Sequence, residues 1–386
     1  MATHLAAVTT AKGDFNVIEV PTSRPGPGEI LLKNEYGAMI AFDTYVTDLG
    51  YMVDSYPLAL GFSAAGTVAE VGEGVDDLKV GDRITAFSYH GTKAKALQQY
   101  SIQPRNVCAH IPDDLPLEEA ATIPDNFVTA FYTIFNQLGF PIPQYFPPQH
   151  PPPLAAVPIL VYGGGSTAAQ YAIQLLNLAG YKNIITTASP HHHDFLRSLG
   201  ATSTFDYRST TLAEDIAKVV GGDGKVTIVI DAITAEGTLK RIGEVVSPLG
   251  TVAILLPIKE GSSVRGGAGT DMHMALPESW KVLPEGAKVV GVRTFLYEQD
   301  SHLKQYLMPL ILTQLLEEKH IKPSRVRLLD QGSLKERVET GLDLLRNNKR
   351  FVVGSKPEPR LSSPEQASSF EEKAGSTGIA TLIFNI

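Results

Sequence analysis

The chain nearly lacks cysteine: Cys108 is the only one in 386 residues. An internal disulfide is therefore excluded, and so is a structural zinc site built on three or four thiolates. A reducing, cytoplasmic setting is the expectation that fits. No apolar run approaches the roughly 18 residues that a membrane-spanning helix needs, so no membrane partner is expected. The start, "MATHLAAVTTAKGDF", has neither a basic stretch nor an apolar core of useful length, and a secretory signal is not expected. Positive charge is also in short supply. Lys and Arg total 33 against 41 Asp and Glu, a net charge of -8, which argues against a nucleic-acid partner. A hydrophobic share of 43% places the chain among folded globular proteins, and its length suggests two domains.

Residues 1 to about 125 are rich in β-formers broken by Gly, Pro and Asp, as in "EILLKNEYGAMI", "AAGTVAEVG" and "DRITAFS". A helical stretch follows over 117–138, interrupted at Pro124. The segment 141–158, "PIPQYFPPQHPPPLAAVP", carries eight prolines. Proline removes the backbone donor, so this is an extended connection, either a plain surface loop or part of a pocket rim. From Pro158 the rhythm changes. Strands are expected at 159–162, 183–187, 203–207, 226–231, 250–256 and 287–293, with helices at 168–179, 191–199, 211–220 and 235–246. Such alternation predicts an α/β fold with a doubly wound parallel sheet. Two more helices are expected at 300–319 and 333–347, then a final strand "RFVVG" at 350–354 that returns to the β region. The polar tail after Lys356, "PEPRLSSPEQASSFEEKAGSTG", is expected to be mobile.

The stretch "ILVYGGGSTAAQYAIQLLNLAGY" begins at Ile159 as a strand, passes three glycines and enters a helix. Such a turn aims free backbone N–H groups and the positive helix end at one point, where a pyrophosphate fits. Gly163, Gly165 and Ala168 match G-x-G-x-x-[GA]; one residue later, Gly164, Ser166 and Ala169 occupy those positions. The frame stays open. In either, Ser166 and Thr167 offer hydroxyls to phosphate.

An acid at the end of the second strand would bind the 2′-hydroxyl of NAD and repel a 2′-phosphate. Here that strand ends "TTASPHHH", with no acid before Asp194. Ser189 can donate to a phosphate, His191 or a neighbouring histidine can add charge, and Tyr207 can close over the group. NADP(H) is therefore the expected cofactor. The triple histidine is no metal motif, because consecutive helical side chains point about 100° apart.

Taken together, "RPGPGEILLKNEYGAMIAFD" (24–43), "LGFSAAGTVAEVGEGVDDLKVGDRITAF" (60–87), the glycine turn, "SLGATSTFDYR" (198–208) and "VIDAI" (229–233) resemble the medium-chain dehydrogenase/reductase superfamily. "FYTIFNQLGFPIP", the turn and "TASP" resemble its zinc-free fungal branch, with trans-acting enoyl reductases of polyketide pathways and quinone-oxidoreductase-like proteins. The resemblance implies a GroES-like β domain from both chain ends (1–125 and 295–386) and an inserted Rossmann domain (126–294), with the active site in the cleft between them. It implies nicotinamide contacts at Leu255 and Pro257, and a role near the nicotinamide ribose for Asp43, which could equally be a structural turn carboxylate. The zinc enzymes of the superfamily carry a Cys near Met39 or Ile40 and a Gly-His-Glu where this chain has Gly61, Phe62 and Ser63, so no metal is expected.

Reduction without a Lewis acid suits an activated C=C or a quinone, since the carbonyl drains the charge of hydride addition into an enolate. Tyr51, eight residues after Asp43, stands at the offset of the catalytic tyrosine in mitochondrial enoyl thioester reductases, which the segment resembles. It is the candidate proton donor, the alternative being a pocket-lining tyrosine with no chemical role; Tyr45, Tyr56 and water compete. Phe131 and Phe135 are candidates for core or substrate wall. The expected partners are an unsaturated carbonyl or quinone substrate and, on the resemblance, a polyketide synthase; monomer and homodimer remain open. The alternative is a non-catalytic nucleotide-binding relative that kept the fold as an interaction or regulatory protein.

Overall fold

The computed structural model describes residues 2–261, 271–347 and 381–386. The expected strand at 350–354 and the tail after Lys356 up to residue 380 lie outside them.

Six strands form a parallel sheet in the spatial order 203–205, 184–187, 159–162, 226–231, 246–255, 288–292. Every neighbouring pair is parallel. The first strand in the chain sits third in space, so the winding reverses on either side of Ile159–Tyr162. Alternate residues of that strand face opposite cores. Ile159 and Val161 pack with Tyr171, Ile173 and Leu175 of the helix Thr167–Leu178. Leu160 and Tyr162 pack with Leu212, Ile216, Leu239 and Ile242 of the helices Leu212–Val220 and Glu236–Gly243. Helices thus cover both faces, as the apolar runs predict.

The strand expected over 203–207 stops at Phe205. The Asp206 carboxylate accepts from the Arg208 backbone N–H at 3.0 Å, turning the chain and leaving Tyr207 on a loop. The helical stretch after 117 breaks before Pro124, which starts a new helix, Pro124–Phe131, continued by a wider turn to Gln137.

Residues of both chain ends build a second, mixed sheet of seven strands. Thr381–Asn385 lies antiparallel to Glu29–Met39 and parallel to Val326–Leu329. The chain therefore does return to the β region, and among the described residues it does so through "TLIFN". The proline-rich connection lies over Gly180 and Tyr181, with Pro152 and Pro148 nearest the glycine. It contributes no residue to the main cleft; Pro141, Pro153 and Leu154 instead line a smaller cavity of about 370 Å³ beside Phe140 and Tyr181, so the expected pocket rim belongs to that cavity.

A cross-sheet tie centres on Glu298. Its carboxylate accepts from Tyr89 and Asn106 and pairs with His90 at 2.6 Å. Burial pushes the carboxyl up, but the bonds from His90 and Tyr89, the His90 charge and Asn106 outweigh it and hold it at about 2. A depressed carboxyl stabilises the fold above its unfolded pKa and loses that contribution as pH falls through the folded one. Glu298→Gln is therefore expected to cost about 1–2 kcal/mol at pH 7, allowing for solvent screening. The deficit in thermal melting should vanish toward pH 2; equal deficits at both pH values would contradict the pairing.

Candidate active site

A cleft of about 1250 Å³ opens where the winding of the parallel sheet reverses. Ligands of such sheets bind outside the carboxyl ends of the strands at that reversal. The volume exceeds the roughly 300–1,000 Å³ of a drug-sized pocket, leaving room for a dinucleotide and a second molecule.

The glycine turn forms one wall. Gly163 has φ +86°, and its N–H donates to Thr187 Oγ1 at 3.0 Å. A Cβ there would stand 2.4 Å from Ile233. Gly164 is tight for another reason: a Cβ would meet Thr186 Oγ1 at 2.3 Å. Ser166 caps the helix Thr167–Leu178, its Oγ accepting from the Ala169 N–H at 3.3 Å. Gly163, Gly165, Ser166, Thr167 and Ala168 all line the cleft; Gly164 does not. The Thr167 hydroxyl, expected to face phosphate, donates to Asn126 Oδ1 at 2.7 Å. A side-chain-free turn opening onto a helix N-terminus fits a pyrophosphate.

At the adenosine end, Ser189, His191 and Tyr207 line the cleft, as do two residues that sequence reasoning passed over, Arg208 and Arg241. Arg208 holds Asp206 in an exposed pair at 3.0 Å. Arg241 donates to the Ser209 carbonyl and pairs with Glu244 at 3.2 Å. The three histidines do not converge. His193 turns back to the Ala188 carbonyl at 3.1 Å. Burial, with the neighbouring charges of His191, Arg325 and His193, lowers His192 to about 4, so it stays neutral at pH 7.

Across the cleft, Phe42, Phe87 and Phe295 give an apolar wall. Leu255 and Pro257 line it too. Tyr51 follows the helix Ala41–Leu49, where Gly50 takes a left-handed conformation. Its ring meets Phe42 edge-on at 5.5 Å, and its hydroxyl faces the Met274 sulfur. Burial raises the phenol above its usual value, with Arg293 opposing. Such a hydroxyl is a better hydrogen-bond donor to a developing oxyanion than an acid toward carbon. Tyr45 also lines the cleft but is buried, its phenol pushed up to about 12 by burial. Tyr56, Phe131 and Phe135 are not part of the wall; the two phenylalanines belong to the core.

Asp43 likewise falls outside the cleft lining. Fully buried, it accepts from the backbone N–H of Ile40 at 2.9 Å and of Gly61 at 2.8 Å. That geometry matches the structural alternative for this residue. The Lys95 ammonium lies 3.4 Å from the Phe62 ring centre, close to the Asp43 charge. Met39, Ile40 and Phe62 offer no thiolate or imidazole, and among the described residues no three His, Cys, Asp or Glu side chains form a group that could hold a metal. The residues present do not fit a zinc ion at this place.

A winding reversal, a glycine turn and an apolar cleft beside a mixed β-sheet place the chain in the class of α/β proteins with a doubly wound sheet and a separate β region. Residues 26–113 match the family described as the alcohol dehydrogenase GroES-like domain, and residues 169–262 that described as zinc-binding dehydrogenase. The chain is 33% identical over 233 residues to a dehydrogenase of Aspergillus niger, covering 58% of this chain and 65% of the relative. It is 30% identical over 237 residues to the trans-enoyl reductase tazE of Aspergillus terreus, covering 58% of this chain and 75% of the relative. Among solved structures, Escherichia coli quinone oxidoreductase complexed with NADPH superposes with a TM-score of 0.68 at 19% identity, over 99% of this chain and 100% of that one. The chain belongs to the medium-chain dehydrogenase/reductase superfamily. Its match spans just under two thirds of the length of several curated fungal relatives, 62–66%.

Proposed function

We propose that this protein is a zinc-independent, NADPH-dependent reductase of an activated C=C, as in an enoyl thioester or enone, or of a quinone. The observation that carries the reading is the continuity of one cleft from the glycine turn to an apolar wall bearing a tyrosine hydroxyl, with no cluster of three metal-ligating side chains among the described residues. The names of the relatives support it: trans-enoyl reductases among the curated proteins, and quinone oxidoreductase among the structures. On this reading residues 1–125 and 295–386 form the substrate domain and 126–294 the nucleotide domain. The enzyme works in the cytoplasm and, on the enoyl thioester form of this reading, takes a chain presented by a polyketide synthase.

The bound reduced nicotinamide supplies the hydride. The turn from Gly163 to Ala168 holds the pyrophosphate, Ser189, His191, Tyr207, Arg208 and Arg241 the adenosine end, and Leu255 and Pro257 the nicotinamide. Phe42, Phe87 and Phe295 exclude water from the acceptor. Tyr51 donates a hydrogen bond to the oxygen on which negative charge develops, and Arg293 steadies that charge.

The test is purified protein with NADPH carrying deuterium at the transferred position, offered enones, quinones and enoyl thioesters. Deuterium at the β-carbon of the product is expected. Tyr51→Phe should lower kcat about tenfold to a hundredfold with little change in NADPH affinity. Binding without turnover of any acceptor would favour a non-catalytic relative. Unchanged kcat in Tyr51→Phe would remove the role given to that hydroxyl.

A further inference from the structure

An Asp–Asn pair interrupts the apolar run "TIPDNFVTAFYTIF". Asp125 is 5% exposed and Asn126 6%, and both line the cleft. A buried carboxyl is costly unless charge or hydrogen bonds compensate it. Asp125 stands in the first turn of the helix Pro124–Phe131. Its Oδ1 accepts from the Ser63 hydroxyl at 3.1 Å and from Asn126 Nδ2 at 2.7 Å. Asn126 Oδ1 in turn accepts from Thr167 in the glycine turn at 2.7 Å. The carboxyl is thus fixed between the mixed sheet and the nucleotide turn, both of its side-chain hydrogen bonds fall on one oxygen, and neither partner is a cation.

We propose that Asp125 is the acid that protonates the α-carbon of the enolate formed in this cleft; the assignment rests on the reductase reading above. Hydride arriving at the β-carbon forms the first C–H bond and leaves an electron pair delocalised over the α-carbon and the oxygen. That pair takes the Asp125 proton: the carboxyl O–H bond breaks, the second C–H bond forms, and the carboxylate keeps the O–H electrons. Once the product has left, water entering the cleft restores the proton. The alkene gains two electrons and the nucleotide loses two, so no other reductant enters.

The electrostatics support this division of labour. Burial pushes the Asp125 carboxyl up to about 7, against the bonds from Ser63 and Asn126, and the Asp43 charge pushes the same way. Lys95 is turned to Asp43 and the Phe62 ring, and the buried Tyr171 hydroxyl lies on the helix Thr167–Leu178. A carboxyl at about 7 is roughly half protonated at neutral pH, more fully so at pH 6, and gives its proton up readily, whereas the raised Tyr51 phenol does not.

Asp125→Asn keeps the acceptor for Ser63 and Asn126 and removes only the acid. With the tigloyl thioester of N-acetylcysteamine, the wild type should give one configuration at the α-carbon. Its kcat should fall above pH of about 7. The variant should lose about a hundredfold in kcat at pH 6, show no such fall and give mixed configurations, with NADPH affinity unchanged. Infrared spectra of the nucleotide-free wild type should carry a protonated-carboxyl band that titrates near 7 and is missing from the variant. A variant with unchanged rate, pH profile and product configuration overturns the assignment and leaves the reductase reading standing. Turnover of quinones alone also overturns it, because no carbon is protonated there. No NADPH oxidation by the wild type with any acceptor overturns the reading beneath it.

Discussion

Gly163→Ala is expected to weaken NADPH binding by about a hundredfold or more. Two costs arise. A left-handed backbone costs an L-residue roughly 1–2 kcal/mol, and Gly163 sits at φ +86°. The new methyl would stand 2.4 Å from Ile233 Cγ1 and 2.7 Å from its Cδ1. Relief requires Ile233 to move, and Ile233 itself lines the cleft, so the displaced side chain intrudes on the space the nucleotide needs. The backbone cost is borne with or without nucleotide and lowers the melting temperature; the loss of affinity comes from the displaced Ile233, and two orders of magnitude correspond to about 2.8 kcal/mol at about 1.4 kcal/mol per tenfold. Gly164→Ala should behave differently. Its methyl strikes Thr186, whose hydroxyl donates to the Val161 carbonyl at 2.7 Å between neighbouring strands. That change should lower the melting temperature first and nucleotide affinity only as a consequence. Fluorescence titration beside thermal melting separates the two. Gly163→Ala binding within threefold of the wild type would contradict the pyrophosphate placement.

The second large effect concerns the choice between NADPH and NADH. Arg208→Ala is expected to raise the NADPH Kd by about tenfold to fiftyfold and leave that for NADH nearly unchanged. A hydrogen bond to a charged group contributes about 1.5–3 kcal/mol, and an exposed ion pair such as Arg208 with Asp206 about 0–1. The guanidinium, 51% exposed, therefore gains by leaving Asp206 for a 2′-phosphate. Arg241 is held by the Ser209 carbonyl and Glu244. Arg241→Ala should act in the same direction, and the double variant should bind the two nucleotides about equally. Equal weakening of both nucleotides in the single variants would mean that these arginines support the loop rather than read the phosphate.

The parallel sheet was legible because strands and helices there carry different periods, and a helix lies between most of its consecutive strands. The glycine turn was legible for the same reason: strand, turn and helix are contiguous. Features joined only in space were not. "TLIFN" pairs with Glu29–Met39, more than 340 positions earlier, and no local pattern announces that partner. Arg208 adjoins Tyr207 and could have been read from that neighbour. Arg241 reaches the adenosine rim only because the helix Glu236–Gly243 turns that face to the cleft. Asp43 by position suited either a place near the nicotinamide ribose or a structural turn. The backbone N–H groups of Ile40 and Gly61 that hold its carboxylate meet only in the folded chain, which no local pattern announces. Asp125 did leave a trace, a carboxylate in an apolar helix, and its meaning depends on Ser63 and Asn126 closing around it.

The most direct measurement is a fluorescence titration of the purified protein with NADPH and with NADH, followed by addition of enones, quinones and enoyl thioesters to the same cuvette. The account predicts preferential NADPH binding and loss of the bound NADPH signal when an activated alkene or quinone is added. Binding of neither nucleotide would contradict it at its root, because the glycine turn, the arginine rim and the cleft wall would then have no common ligand.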